Sequence, residues 1–181
     1  DVLMISFLMN ETSVANYKVA ILIPANITFL ALTFMQSDFP VLAKNFKNKR
    51  FLQDYIANYY KIFLPVSLLI FFFFFWFKTE ILEVFFTGKY AGNSSVFIIL
   101  LGGFCVNMLL RNLYGNLLSA VGKMKVNTLV SFLTLLLLVL FSAFLVTKFG
   151  VIGMAMSLSL SMTLGGLLLM YSFLLYLKDF K

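Results

Sequence analysis

Residues that most enzymes use for acid–base chemistry or metal binding are scarce in this sequence. Its 181 residues include no histidine, one cysteine and only seven aspartate and glutamate residues together. The lack of histidine excludes imidazole catalysis and the commonest metal ligand, and the lone Cys105 cannot form a disulfide within the chain. Asp38 and Asp54 are isolated and do not form the acidic motif that a metal-dependent phosphotransferase would need. We therefore expect no enzymatic activity, no metal and no cofactor.

Charge of either sign is also scarce, and apolar residues take its place. Charged residues make up 12% of the chain, whereas hydrophobic residues make up 62% and phenylalanine occupies 23 positions. Soluble domains carry roughly half apolar and about a quarter charged residues. The composition excludes a soluble or disordered domain and a nucleic-acid partner, and it predicts a lipid bilayer as the medium. Because lipid offers no hydrogen bonds to the backbone, the fold class is predicted as all-α, a polytopic membrane helix bundle.

Long uncharged runs give the positions of the predicted helices. A helix needs about 20 residues to cross the hydrocarbon core of a bilayer. The runs place helices near residues 1–9, 19–37, 62–77, 94–121, 126–147 and 149–177. The first run is too short to cross, so we expect it to be the end of a longer helix and residues 1–181 to be a fragment of a longer chain.

Basic residues are distributed unevenly over the connectors between these runs. One set of alternate connectors carries nine of them and the other set carries four. Because basic loops stay in the cytoplasm, the charges place the connectors 38–61 and 122–125 and the C-terminus on the cytoplasmic side. The net charge of +7 thus predicts topology and not an anionic partner.

The segment 44–61 has the pattern of an amphipathic helix. Apolar and aromatic residues recur every three or four positions from Phe51 to Phe63, and basic and amide residues fill the positions between them. Such a helix fits the plane of the lipid headgroups. It would either anchor the protein or attract lipid-linked anions through its basic residues.

Arg111 is the one charged residue deep inside a predicted span. Asn107 and Tyr114 lie four residues before it and three after it, so the three form a polar stripe. An arginine at depth costs about 2.5–3.5 kcal/mol and usually faces a cavity, although it can also extend to the interface. A guanidinium in a cavity suits a phosphate or a carboxylate. Asn26 and Asp1 are the other polar candidates, and Asp1 could carry a coupling ion.

Small residues recur every four positions in the last predicted span. Gly153, Ser157, Ser161 and Gly165 form one such series. Small residues at this spacing let a second helix approach closely, and serine in a membrane helix mostly bonds its own backbone. We interpret this face as a packing surface.

An ordered set of short motifs connects these features. In chain order they are VANYKVA at 14–20, DFPVLAK at 38–44, FTGKY at 86–90, SAVGKMK at 119–125 and FGVIG at 149–153. Together they resemble the polysaccharide flippases of the multidrug/oligosaccharidyl-lipid/polysaccharide exporter superfamily, the Wzx-type O-antigen and teichoic-acid transporters. Asn16 departs from the family pattern, which usually has glycine there.

The resemblance implies a fold and an activity. Such flippases have two six-helix lobes that rock against each other, and this chain would be the C-terminal lobe, with an N-terminal lobe as its partner. The expected activity is to move an undecaprenyl-pyrophosphate-linked oligosaccharide from the cytoplasmic to the outer leaflet of a bacterial or archaeal cytoplasmic membrane. Arg111 would bind the head group, with Asn107, Tyr114 and Asn26 as further substrate contacts.

Two other functions remain open. A drug or cation antiporter of the same superfamily would favour carboxylates inside the membrane, and the five spans after Asp1 have none between their flanking charges. A structural membrane subunit without transport activity would need none of the polar residues to bind a substrate.

Overall fold

The computed structural model describes residues 1–86 and 92–179, and these are helical apart from short connections. Four helices are long and apolar enough to cross a membrane. They are Glu11–Lys44, Lys49–Trp76, Ser94–Ala120 and Met124–Lys178. The all-α fold with apolar helices of membrane-spanning length is therefore confirmed. Residues 87–90 of the FTGKY motif, and Lys181, lie outside the described residues.

The helices follow one another with short turns. In chain order they are α1 (Val2–Leu8), α2 (Glu11–Lys44), α3 (Lys49–Trp76), α4 (Lys78–Phe86), α5 (Ser94–Asn107), a π-helical turn (Met108–Asn112), α6 (Leu113–Ala120) and α7 (Met124–Lys178). The turn joins α5 and α6 into one continuous rod. The short helix α4 occupies a segment that the sequence predicted as a connector.

Gly150 divides α7 into two arms, 124–149 and 151–178. Its φ of +58° and ψ of −133° are not helical, and a residue with a β-carbon would be strained there. A side chain at Gly153 would collide with the backbone of Leu145 across this break. The two arms therefore correspond to the two last predicted spans, 126–147 and 149–177.

The segment 44–61 does not form a helix of its own, which corrects the prediction of a separate headgroup-plane helix. Residues 49–61 are the first half of α3 and continue directly into the predicted span 62–77. Asn48 caps this helix, since its side chain accepts a hydrogen bond of 3.0 Å from the Phe51 amide. Leu52 and Tyr59 are buried in the core, so the apolar stripe packs against protein.

Connectors that the alternation of the spans assigned to one side lie close together. Three segments assigned to one side contribute Lys47, Lys123 and Asp179 to the wall of a single cavity. Gly150, assigned to the other side, lies beside Met9, because a β-carbon added there would be 3.4 Å from the Met9 Cε. That the first of these ends faces the cytoplasm remains a prediction.

The small residues of the second α7 arm form close helix contacts, which confirms the interpretation as a packing surface. Side chains at Gly153 and Gly165 would collide with Leu145 and Thr134 of the first arm. Ser157 and Ser161 are fully buried, and each bonds a carbonyl of its own helix. Ser159 instead donates a hydrogen bond of 2.9 Å to the Ile99 carbonyl of α5. Gly103 of α5 has no room for a side chain, because a β-carbon there would meet the Ser159 Cβ at 2.7 Å. The second arm of α7 and α5 therefore approach each other so closely at Gly103 that no side chain fits between them.

Candidate functional site

The π turn Met108–Asn112 is the structural origin of the candidate site. A π turn closes its hydrogen bonds between residues five apart instead of four, and such turns occur frequently at functional sites. This one interrupts an otherwise α-helical rod and carries Arg111. The local geometry of the site thus depends on how the turn is held.

Tyr59 of α3 holds the turn from outside the rod. Its hydroxyl donates a hydrogen bond of 2.8 Å to the Met108 carbonyl, across 49 residues of sequence. The Tyr59 side chain is 1% exposed, and its ring stacks on Phe63 with centroids 4.4 Å apart. A tightly packed tyrosine therefore supplies a donor at the point where the hydrogen-bonding pattern of the helix changes.

The turn brings three polar residues to one cavity. In an α-helix, residues five apart differ by about 140° around the axis, so Asn112 would point away from Asn107. Here Asn107, Arg111 and Asn112 all line the same cavity of about 310 Å³. Leu135, which is 56% exposed, forms part of the wall, so the cavity borders the apolar outer surface.

The Arg111 guanidinium lies between α5–α6 and the first arm of α7. Its Nη1 donates to the Thr134 Oγ1 at 3.2 Å and its Nη2 donates to the Ser131 Oγ at 3.1 Å. The Thr134 hydroxyl itself donates to the Val130 carbonyl at 2.7 Å, which leaves its oxygen free to accept. Both partners are neutral, and within residues 1–86 and 92–179 no carboxylate pairs with Arg111. The charge is therefore uncompensated, as expected for an anion site.

Two buried amide atoms beside Arg111 lack partners. Asn107 Oδ1 and Asn112 Nδ2 make no hydrogen bond within the described part of the chain, although each residue is only 8% exposed. An unsatisfied buried polar group costs about 1–3 kcal/mol, and native proteins rarely retain one without a reason. Two of the residues that line the cavity beside Arg111 thus each hold one unsatisfied amide atom.

A second cavity continues the polar surface along α6. It has a volume of about 230 Å³ and shares Arg111, Asn112 and Ser131 with the first. Its other lining residues are Gly115, Asn116, Ser119 and Asn127. The two cavities adjoin at these shared residues and form one groove, which is lined by α5, the π turn, α6 and both arms of α7. We call it the Arg111 groove.

The structure brings Arg111 and Asn107 together as predicted but places Tyr114 elsewhere. Tyr114 is buried and does not line the groove. Its hydroxyl accepts a hydrogen bond of 3.4 Å from the Tyr60 hydroxyl, and its ring packs 5.9 Å from that of Phe173. The three-residue spacing from Arg111 implied a shared face, which the π turn removes.

Asn26 and Asp1 also lie away from the groove. The Asn26 amide donates to the Leu22 carbonyl of its own helix at 2.7 Å and lines a separate, mostly apolar surface groove. Asp1 accepts hydrogen bonds from the Val2 amide at 2.6 Å and from the Tyr17 hydroxyl at 3.2 Å. Neither side chain lines the Arg111 groove.

Ser131 and Thr134, which hold the guanidinium, were not predicted from the sequence. A signal for them exists, because Asn127, Ser131 and Thr134 are spaced by four and three residues in an otherwise apolar helix. That spacing indicates a polar face but does not indicate which helix it meets.

Comparison with protein-family models, with curated proteins and with solved structures gave no match. The resemblance to polysaccharide flippases therefore stays a prediction from the quoted motifs.

Proposed function

We propose that this protein is part of a membrane transporter for an anion carried on an apolar tail. The observation that carries the proposal is the uncompensated Arg111 charge in a cavity that Asn107 and Asn112, each with one unsatisfied buried amide atom, also line. A guanidinium with two of its five donors used can still bind phosphate or carboxylate oxygens. Because the groove borders the outer apolar surface, a head group can occupy it while its tail remains in lipid.

A more specific proposal follows from the resemblance to polysaccharide flippases. The substrate is an undecaprenyl-pyrophosphate-linked oligosaccharide, moved from the cytoplasmic to the outer leaflet for cell-surface polysaccharide synthesis. The chain acts as a C-terminal six-helix lobe that rocks against an N-terminal lobe, in a bacterial or archaeal cytoplasmic membrane with the C-terminus inside. The basic end of the bundle supports this orientation.

The test is to replace Arg111 in the full-length protein in its host. We expect Arg111→Ala to abolish surface polysaccharide and to cause lipid-linked sugars to accumulate, without lowering the protein level. Arg50→Ala is the matched control, because Arg50 is an exposed residue outside the groove. Wild-type export by Arg111→Ala would refute the proposal. Unchanged export by Arg111→Lys would show that a positive charge suffices without the planar set of N–H donors of the guanidinium.

An antiporter of the same superfamily is the second candidate. Its coupling would require a titratable carboxylate, and none lines the Arg111 groove among the described residues. Drug sensitivity of a deletion strain, without accumulation of lipid-linked sugars, would favour the antiporter. A deletion strain with neither phenotype would favour a structural subunit.

A further inference from the structure

Another cavity, large enough for a small-molecule ligand, lies at the end of the bundle where the basic connectors meet, away from the Arg111 groove. Its volume is about 570 Å³, within the range of about 300–1,000 Å³ that small-molecule sites occupy. It shares no lining residue with the two cavities of the groove. The proposed transport function assigns no role to it.

Three separate parts of the chain build this cavity. The α2–α3 connection contributes Phe46, the turn before α7 contributes Lys123, and the end of α7 contributes Leu175 and Tyr176. The Tyr176 hydroxyl donates a hydrogen bond of 3.3 Å to the Phe46 carbonyl, which ties the connection to α7. The wall is therefore fixed by a contact between segments 130 residues apart.

The cavity combines an apolar wall with a basic rim. Leu118, Val126 and Leu175 form apolar parts of the lining. Among the described residues the lining also holds two lysines, Lys47 and Lys123, and one carboxylate residue, Asp179. The Lys47 ammonium lies 5.5 Å from the centroid of the Phe46 ring, which also lines the cavity. A ligand that fits both features has an anionic head and an apolar body.

The surroundings favour a membrane lipid over a soluble anion. Leu174 and Leu175 at this end of α7 are exposed, so the apolar wall continues onto the outer surface of the bundle. Basic pockets between membrane helices on the cytoplasmic side are known to bind acidic head groups. We propose that this cavity binds the phosphodiester head group of an acidic glycerophospholipid, with the acyl chains lying along α7. This proposal does not depend on what the Arg111 groove carries.

The experiment is lipid binding to the full-length protein in detergent micelles, measured by native mass spectrometry with phosphatidylglycerol and phosphatidylcholine as probes. We expect one phosphatidylglycerol to bind more tightly than phosphatidylcholine. Neutralising both lysines, in Lys47→Gln/Lys123→Gln, should weaken that binding more than tenfold, since a direct hydrogen bond between two charged groups contributes about tenfold or more. Ser172→Phe should also weaken it by filling the cavity without changing the charge.

The matched control is Lys49→Gln/Lys125→Gln, which removes the same charge from the same end of the bundle without touching the cavity lining. Unchanged affinity in this control supports a built site, whereas an equal loss would show that surface charge alone attracts the lipid and would overturn the proposal. Unchanged affinity in Lys47→Gln/Lys123→Gln would also overturn it. Displacement of the lipid by millimolar glycerol 3-phosphate would show a site for a free phosphate and would overturn the choice of a lipid. Thermal unfolding of each variant shows whether a loss of lipid binding is due to misfolding. If either Ser172→Phe or Lys47→Gln/Lys123→Gln fails to fold, the other variant still tests the proposal.

Discussion

The hydrogen bond from Tyr59 to the Met108 carbonyl is the contact on which the geometry of the groove most depends. Tyr59→Phe removes only the hydroxyl, because the ring and its stacking on Phe63 remain. The carbonyl is buried, and a buried acceptor that loses its partner costs about 1–3 kcal/mol. We therefore expect the free energy of unfolding to fall by that amount, and the turn to relax towards an α-helical pattern in which Asn112 leaves the cavity.

Hydrogen exchange of the backbone amides at 108–113 measures this effect locally. A loss of about 1–3 kcal/mol corresponds to exchange about 5- to 150-fold faster where opening of the turn limits the rate. The neighbouring Tyr60→Phe is the matched control, because the Tyr60 hydroxyl reaches only the Tyr114 hydroxyl at 3.4 Å. If the two variants show the same stability and the same exchange rates, Tyr59 does not hold the turn and the reasoning is refuted.

Two further predictions concern the walls of the groove. Gly165→Ala should lower the thermal midpoint by the equivalent of about 1–3 kcal/mol, because the new β-carbon would collide with the buried Thr134 hydroxyl. Gly92→Ala is the control and should leave the midpoint unchanged, because open space surrounds Gly92. Equal midpoints in the two variants would contradict this packing of Gly165 against Thr134. Asn112→Leu should keep or raise the thermal midpoint, because it removes an unsatisfied buried amide. The same variant should bind a phosphorylated substrate head group more weakly than wild type. Binding as tight as wild type would show that the amide is not a ligand contact.

Helix content and the position of the spans follow from the sequence because they depend on local properties. Apolar run length predicted the long helices, and the alternation of spans predicted that the connectors 38–61 and 122–125 and the C-terminus share an end of the bundle. The four-residue spacing of Asn107 and Arg111 predicted correctly that they share a cavity. The spacing of small residues in 153–165 likewise predicted a close helix contact, which Gly153 and Gly165 make with the first arm of α7.

Continuity between segments was harder to predict from composition. The polar residues at 49–61 suggested a separate helix, but no proline or glycine lies between residues 49 and 64, and α3 continues through them into the apolar span without a break. At residue 150 the opposite holds, since a single glycine with positive φ reverses an otherwise continuous helix. Both outcomes depend on what packs against the segment and not on its own hydropathy.

The sequence by itself thus determined an all-helical, apolar chain with basic connectors and one arginine inside an apolar span, because these properties belong to single segments. Only the tertiary structure decided which residues surround that arginine. Tyr59 donates to the π turn from 49 residues away, Asn112 of this turn lines the groove, and Tyr114 packs elsewhere. Ser131 and Thr134 reach the guanidinium because Gly165 and Gly166 allow the second arm of α7 to pack closely against Thr134 and the turn. Such contacts between distant segments have no periodic signal in the sequence, since each depends on the packing of several helices at once.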